Sequence, residues 1–156
     1  MSKSHRTIAA VVVAAALAAP SLGAAQQPHP AAMGDLMTAF VQPRHIKLGL
    51  AGSSRNWAYA AYELYELQET FTDVAAIMPQ YRDLSIPDMI TATVKKPLAV
   101  VDQAIKAKDL DQFTVAYRQL SAACNACHRS YDRGMIVIQP PAGDAYPDQD
   151  FRPGKQ

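Results

Sequence analysis

Cys124, Asn125, Ala126, Cys127 and His128 form the stretch of this chain whose residue types and spacing spell out a reaction. The pattern C-x-x-C-H is the sequence to which haem is attached covalently. On a helix, positions 124, 127 and 128 lie three and four residues apart, so their side chains share one face. Two thiols placed there add to the two vinyl groups on one porphyrin edge, and the adjacent imidazole falls beneath the iron as proximal ligand. Both cysteines of the chain are used in the pattern. With this chain's composition it would arise by chance with a probability of roughly 6 in 10,000.

Other uses of the pair fit less well. A disulfide between residues only three apart closes a very small loop and stabilises little. A redox C-x-x-C opens a helix, where the dipole lowers the thiol pKa, whereas this one falls at the end of a helical stretch. A zinc site needs two more Cys or His ligands, and beyond the first 25 residues only His29 and His45 remain.

The elements that must carry the motif read as helices. The clearest runs from about Asn56 to Met78, with Trp57, Ala60, Ala61, Leu64, Leu67, Phe71, Val74 and Met78 on one face and Glu63, Glu66 and Glu69 mostly outside it. Pro79 ends it. After a loop through Asp83 and Ser85, Pro87 suits the first turn of a helix from about Ile86 to Ala107, and Pro97 predicts a kink within it. Asp109 is an N-cap for the last helix, Leu110 to about Arg133, whose inward stripe is Phe113, Ala116, Tyr117, Leu120, Cys124, Cys127 and Tyr131, with Gly134 as its stop. The first helix, Met33 to about Gly52, has Gly52-Ser53-Ser54 as its exit and is either kinked or begun afresh at Pro43. No stretch alternates long enough for a sheet; Met135 to Ile138 is the one short candidate. The expected fold is all-α: an up-down-up-down four-helix bundle over residues 32–133, then an irregular tail, 134–156, lying over it through Ile136, Ile138, Tyr146 and Phe151.

Residues 1–25 read as a secretory signal peptide. Lys3 and Arg6 precede an apolar run from Ile8 to Leu17, and Gly23 and Ala25 have the spacing a signal peptidase reads. The run is shorter than the roughly 18 residues a membrane span needs, so no stable membrane anchor is expected. A polar linker follows at 26–31. Cleavage removes two of the 15 basic residues, leaving 13 Lys and Arg against 14 Asp and Glu. That balance, without a block of like charge, gives no reason to expect nucleic acid as a partner. The expected location is the periplasm.

What faces the iron opposite His128 separates the functions. His128 lies about 27 Å along the last helix from Leu110 at 1.5 Å per residue. The same height on an antiparallel first helix falls near residue 35, bracketed by Met33 and Met37. Met37 is the first candidate for a sixth ligand, although Met33, Leu36, Met37 and Phe40 also have the spacing of plain core. His45 is the alternative, reaching the iron only if Pro43 begins the helix. Its ordinary role would be a hydrogen-bonded bundle histidine paired with Glu63 or Glu66. Tyr117, two turns before Cys124, is a candidate haem contact, and Trp57, Tyr62 and Tyr65 are weaker ones. Arg129 and Arg133 are candidates to pair with the propionates.

A helical bundle with C-x-x-C-H near the end of its fourth helix resembles the cytochrome c′ class of bundle cytochromes. The stretches Arg44-His45-Ile46-Lys47-Leu48, Asn56-Trp57 and Tyr62-Glu63-Leu64-Tyr65-Glu66-Leu67 look like an exported branch of that class. The resemblance covers about residues 32–133, and only the attachment motif in it is highly specific. It implies one haem c enclosed at one end of the bundle, and electron transfer with periplasmic redox proteins as the function. The alternative is a five-coordinate protein that binds or senses gases such as nitric oxide. Bundles of this class often pair through their first two helices, so the resemblance allows a homodimer. An enzyme is not expected: peroxidase chemistry needs a distal acid–base pair, and only His45 is a candidate.

Overall fold

Pro43 shapes the first helical run. A computed structural model describes residues 32–143 and 145–154; the expected signal peptide, the linker and His29 lie outside the described residues. Helix α1 (Met33–Leu36) passes through a π-helical turn, Met37–Val41, into α2 (Gln42–Ser53). Proline has no N–H for the carbonyl four residues back, and its ring crowds that carbonyl. Widening the preceding turn, so that the Gln42 N–H reaches the Met37 carbonyl, absorbs the misfit without ending the helix. The two alternatives left open at Pro43 are thus combined. One inserted residue rotates everything before it by about 100° relative to an unbroken helix.

α3 (Trp57–Ile77) keeps the boundaries read from its periodicity to within a residue. Asn56 caps it, its side chain accepting the Tyr59 N–H at 3.2 Å. Ala60, Leu64, Leu67, Phe71 and Val74 face inward. Two positions of the stripe need correcting. Ala61 is exposed, and Glu63, placed mostly outside the stripe, is only 1% exposed. The apolar face is narrower than the pattern and leaves room for a carboxylate because Arg44 of α2 reaches it at 3.3 Å and spans on to Glu66 at 2.9 Å.

A two-residue antiparallel pair follows, β1 (Gln80–Tyr81) with β2 (Leu84–Ser85), where only a loop was expected. The expected third helix is two helices, α4 (Ile86–Thr93) and α5 (Lys95–Ala107), parted at Val94. Pro97 is the cause, since it withholds the N–H that Thr93 would have accepted. Pro87 sits in the first turn of α4, as expected, and Ser85 caps it. α6 (Leu110–Ser130) starts at the expected cap, with the Asp109 side chain accepting the Gln112 N–H at 2.9 Å. It ends three residues earlier than Arg133. The left-handed residue that closes it is Asp132 (φ 55°) rather than Gly134.

The described chain is mostly helical. α2 packs on α3 and α6, and α5 packs on α6 and α3, with α4 wedged beside α5. Leu48, Leu67, Val101, Phe113 and Leu120, one or more from each of α2, α3, α5 and α6, are fully buried, each contributing roughly 1.5–3 kcal/mol. α2 and α6 approach unusually closely: a Cβ on Gly52 would lie 2.0 Å from the Phe113 ring. Gly52, expected as a helix exit, is therefore a packing residue, and the left-handed exit is Arg55 (φ 57°).

The tail runs back over these helices without forming a strand at Met135–Ile138. Phe151 is buried and stacks on Tyr59 at 5.6 Å, and Tyr146 lies under Lys47. Ile138 is partly buried, but Ile136 is 48% exposed and covers less than expected.

Candidate functional site

The last turns of α6 carry the site. Cys124 and Cys127 are free thiols and, like His128, partly exposed. Burial pushes the Cys124 thiol up to about 11, with Cys127 adding to the effect, and burial pushes Cys127 up as well. The negative end of the helix dipole works in the same direction. Both sulfurs are held as thiols, opposite to the activated thiolate of a redox C-x-x-C. His128 and Arg129 place basic side chains at that helix end.

His128 is oriented by the tail. Its Nδ1 is 2.8 Å from the Ile136 carbonyl. A carbonyl only accepts, so Nδ1 carries a hydrogen, and in the neutral ring Nε2 is then the nitrogen with the lone pair. Ligating histidines are fixed in this way, with one ring nitrogen donating to an outer oxygen and the other turned to metal. The helix end beneath the ring is closed by the His128 carbonyl accepting the Arg133 N–H at 2.8 Å, and by the Asp132 N–H donating to the Arg129 carbonyl. That is the paired bonding of a Schellman cap. One turn past Cys127, the Tyr131 hydroxyl is buried and has no partner among the described residues.

His45 lies in the interior, 5% exposed. Its Nε2 is 3.0 Å from Ser121 Oγ and its Nδ1 is 3.0 Å from the Tyr117 hydroxyl, whose one hydrogen is donated to the His45 carbonyl at 2.6 Å, so that Nδ1 is the donor to that hydroxyl. Both ring nitrogens are engaged. The partners are Tyr117 and Ser121, not Glu63 or Glu66, which Arg44 takes instead. Burial lowers the His45 pKa to about 4, so the ring is neutral. Tyr117 is buried between His45 and Phe113, stacked on them at 4.7 and 5.7 Å. Its phenol is pushed well above its ordinary value by burial and then by Cys124 nearby.

The other expected residues scatter. Met37 and Met33 are half-buried against the core, Met37 within the π-helical turn. Trp57 meets Phe113 edge-on at 6.0 Å, and Tyr62 and Tyr65 are exposed. Arg129 is exposed; Arg133 donates to the Tyr81 hydroxyl at 3.2 Å. Two clefts, of about 400 and 480 Å³, open away from the motif, one over Arg44 and Lys47 and one over Trp57 and Lys108. Among the described residues no group of three or more His, Cys, Asp or Glu converges on a metal position, and no helix is long and apolar enough to cross a membrane.

Asn125, Ser121, Tyr131 and the Ile136 carbonyl went unread as site groups. A backbone acceptor has no residue type to betray it, and only the C-x-x-C-H frame pointed at Asn125. Comparison with family models, with curated proteins and with solved structures finds no match to this chain.

Proposed function

We propose that this chain is an exported monohaem c-type cytochrome of cytochrome c′-like build that transfers electrons in the periplasm. In this reading α2, α3, the broken pair α4–α5, and α6 are the four arms of an up-down-up-down bundle. The observation that carries it is the placement of His128: its Nδ1 lies 2.8 Å from the Ile136 carbonyl, a contact that in the neutral ring leaves the lone pair on Nε2, one residue past two free thiols at the C-x-x-C spacing. The donor set fits the group. Cys124 and Cys127 would hold haem covalently, His128 would ligate its iron, and the Tyr131 hydroxyl, without a partner among the described residues, is a buried polar group beside that position. Haem bound there supplies a one-electron couple. The chain's own part is to keep both sulfurs protonated until attachment and to hold one imidazole tautomer. Periplasmic redox proteins are the partners in this reading, and pairing through the first two helices is a further part of it.

A second reading has a specific observation behind it. His45 spends both ring nitrogens inside the core, which leaves Met37 as the side chain for the far face of the iron. If Met37 stays in its own packing, the iron is five-coordinate and suited to binding nitric oxide or carbon monoxide.

Expression of the full chain alongside a haem-ligation system tests both. The cytochrome reading expects a coloured protein whose haem survives denaturation and is lost in the double variant Cys124→Ala, Cys127→Ala. A colourless product with both thiols free would refute it. Sharp α and β bands in the reduced protein that ignore carbon monoxide identify the carrier, and a broad spectrum that shifts with the gas identifies the sensor.

A further inference from the structure

Asn125 is one of the two residues of the C-x-x-C-H stretch that attachment chemistry does not use, yet its side chain is held twice. Its Nδ2 donates to the Ile138 carbonyl and its Oδ1 accepts the Ile138 N–H, both at 2.7 Å. An amide bonded this way imitates a strand partner and fixes both polar groups of one residue thirteen positions on. The intervening chain is the strap that brings the Ile136 carbonyl to His128. Packing does not hold that strap: Met135, Ile136 and Val137 are 76, 48 and 69% exposed. One turn bond, from the Ile136 N–H to the Arg133 carbonyl at 2.8 Å, supports it from the helix side. At its far side, the Asn125 clamp is what remains.

We propose that Asn125 is the positioning residue for His128. By clamping Ile138 it aims the Ile136 carbonyl at Nδ1, keeps the ring hydrogen there, and leaves Nε2 free. A histidine side chain in water carries its hydrogen mostly on Nε2, the opposite arrangement. The Nδ1–H bond also makes the imidazole a stronger donor to a metal, so the clamp holds any iron bound there toward its ferric state. This last step rests on the haem reading above; the clamp is a property of the chain alone.

Asn125→Ala removes both bonds. Asn125→Asp keeps the acceptor for the Ile138 N–H and sets a carboxylate against the Ile138 carbonyl. In the full chain expressed without haem attachment, ¹⁵N spectra of the imidazole are expected to show His128 as the Nδ1–H form. Asn125→Ala is expected to convert it mainly to Nε2–H and to speed exchange of the Ile138 amide at least tenfold. Asn125→Asp is expected to fall between. In the haem-loaded chain Asn125→Ala should lose about tenfold in ferric over ferrous preference, a rise of 59 mV for one electron, with the haem still attached. A folded Asn125→Ala chain with the wild-type tautomer, or with the tautomer changed and the potential unmoved, overturns the proposal. A wild-type chain that takes up no haem, but whose Nδ1–H form is lost in Asn125→Ala, upholds the clamp and defeats the cytochrome reading instead.

Discussion

Acid should destabilise this protein through His45, and the size of the effect follows from its surroundings. The ring touches the Tyr117 and Ser121 hydroxyls, which carry no charge. Glu63 and Glu66 of α3 are paired with Arg44, and burial alone sets the shift of the His45 ring. Protonation would leave a cation in the core with no counter-ion. Burial therefore lowers the folded pKa to about 4, against about 6.5 in the unfolded chain. Between these values the unfolded state binds more protons than the folded one, so unfolding is favoured as pH falls. The stabilisation is complete above about pH 6.5 and is lost by about pH 4. A depression of that size is worth roughly 3 kcal/mol at 1.36 kcal/mol per unit, a large share of the 5–15 kcal/mol typical of a domain.

The perturbation that isolates it is His45→Gln, which keeps polar atoms in the site and removes the titration. Urea unfolding at several pH values between 7 and 4 gives both stability profiles. The wild type should lose roughly 3 kcal/mol more than the variant across that range, the gap opening mostly below pH 6.5. Other carboxylates and His128 are common to both proteins and cancel in the difference. Parallel profiles would show that His45 is not held neutral by burial, and the account of the α2–α6 contact would fall with it.

Three further outcomes follow from the packing. Gly52→Ala forces a Cβ to within 2.0 Å of the Phe113 ring and should cost about 1–3 kcal/mol in chemical denaturation; unchanged stability would mean the helices part without penalty. Arg44→Met leaves the Glu63 carboxylate, 1% exposed, without its cation, and should cost about 3 kcal/mol at neutral pH, most of it recovered by adding Glu63→Gln. Lys108→Gly relieves a left-handed residue (φ 54°) at the end of α5 and should raise the midpoint of thermal unfolding, by about 1 kcal/mol in stability.

The parts of this fold that a reader of the sequence could foresee are those written in side-chain periodicity and N-caps. α3 and α6 show their inward stripes, Asp109 is the cap it resembles, and the prolines mark where helices widen, break or begin. The sequence places the end of α6 three residues late, with Gly134 as its stop, because the helix closes on a left-handed residue that is not glycine, Asp132. α2 and α5, whose ends fall where the sequence puts them, also close on non-glycine left-handed residues, Arg55 and Lys108. Each costs about 1–2 kcal/mol, and the fold bears it because tertiary contacts decide where the helix must stop. Gly52 is the converse, a glycine where no turn occurs, present because Phe113 fills the space a Cβ would need. Glu63 looked solvated because its partner, Arg44, lies on another helix nineteen positions away. The C-x-x-C-H pattern stands in the sequence as a motif, but its supports do not, since Ile136 contributes a carbonyl and Asn125 answers to Ile138's backbone.

Those supports bear on why the motif can sit so near the end of a helix. Terminal turns fray unless something holds them, and a ligand on the last turn would share that motion. Here the His128 carbonyl is fixed by the Arg133 N–H and the ring by the Ile136 carbonyl. The cap itself is braced from outside. Asp132 pairs with Arg82 at 3.0 Å, Arg133 donates to the Tyr81 hydroxyl, and Tyr81 packs on Tyr131 at 5.5 Å. All three contacts come from the small β1–β2 hairpin, which has no chemistry of its own. The exposed ion pair is worth little alone, so the aromatic contact and the hydroxyl bond must do most of the bracing. The hairpin thus belongs to the candidate site in the same sense as the strap, by denying His128 the freedom that its place in the last turn of α6 would otherwise give it.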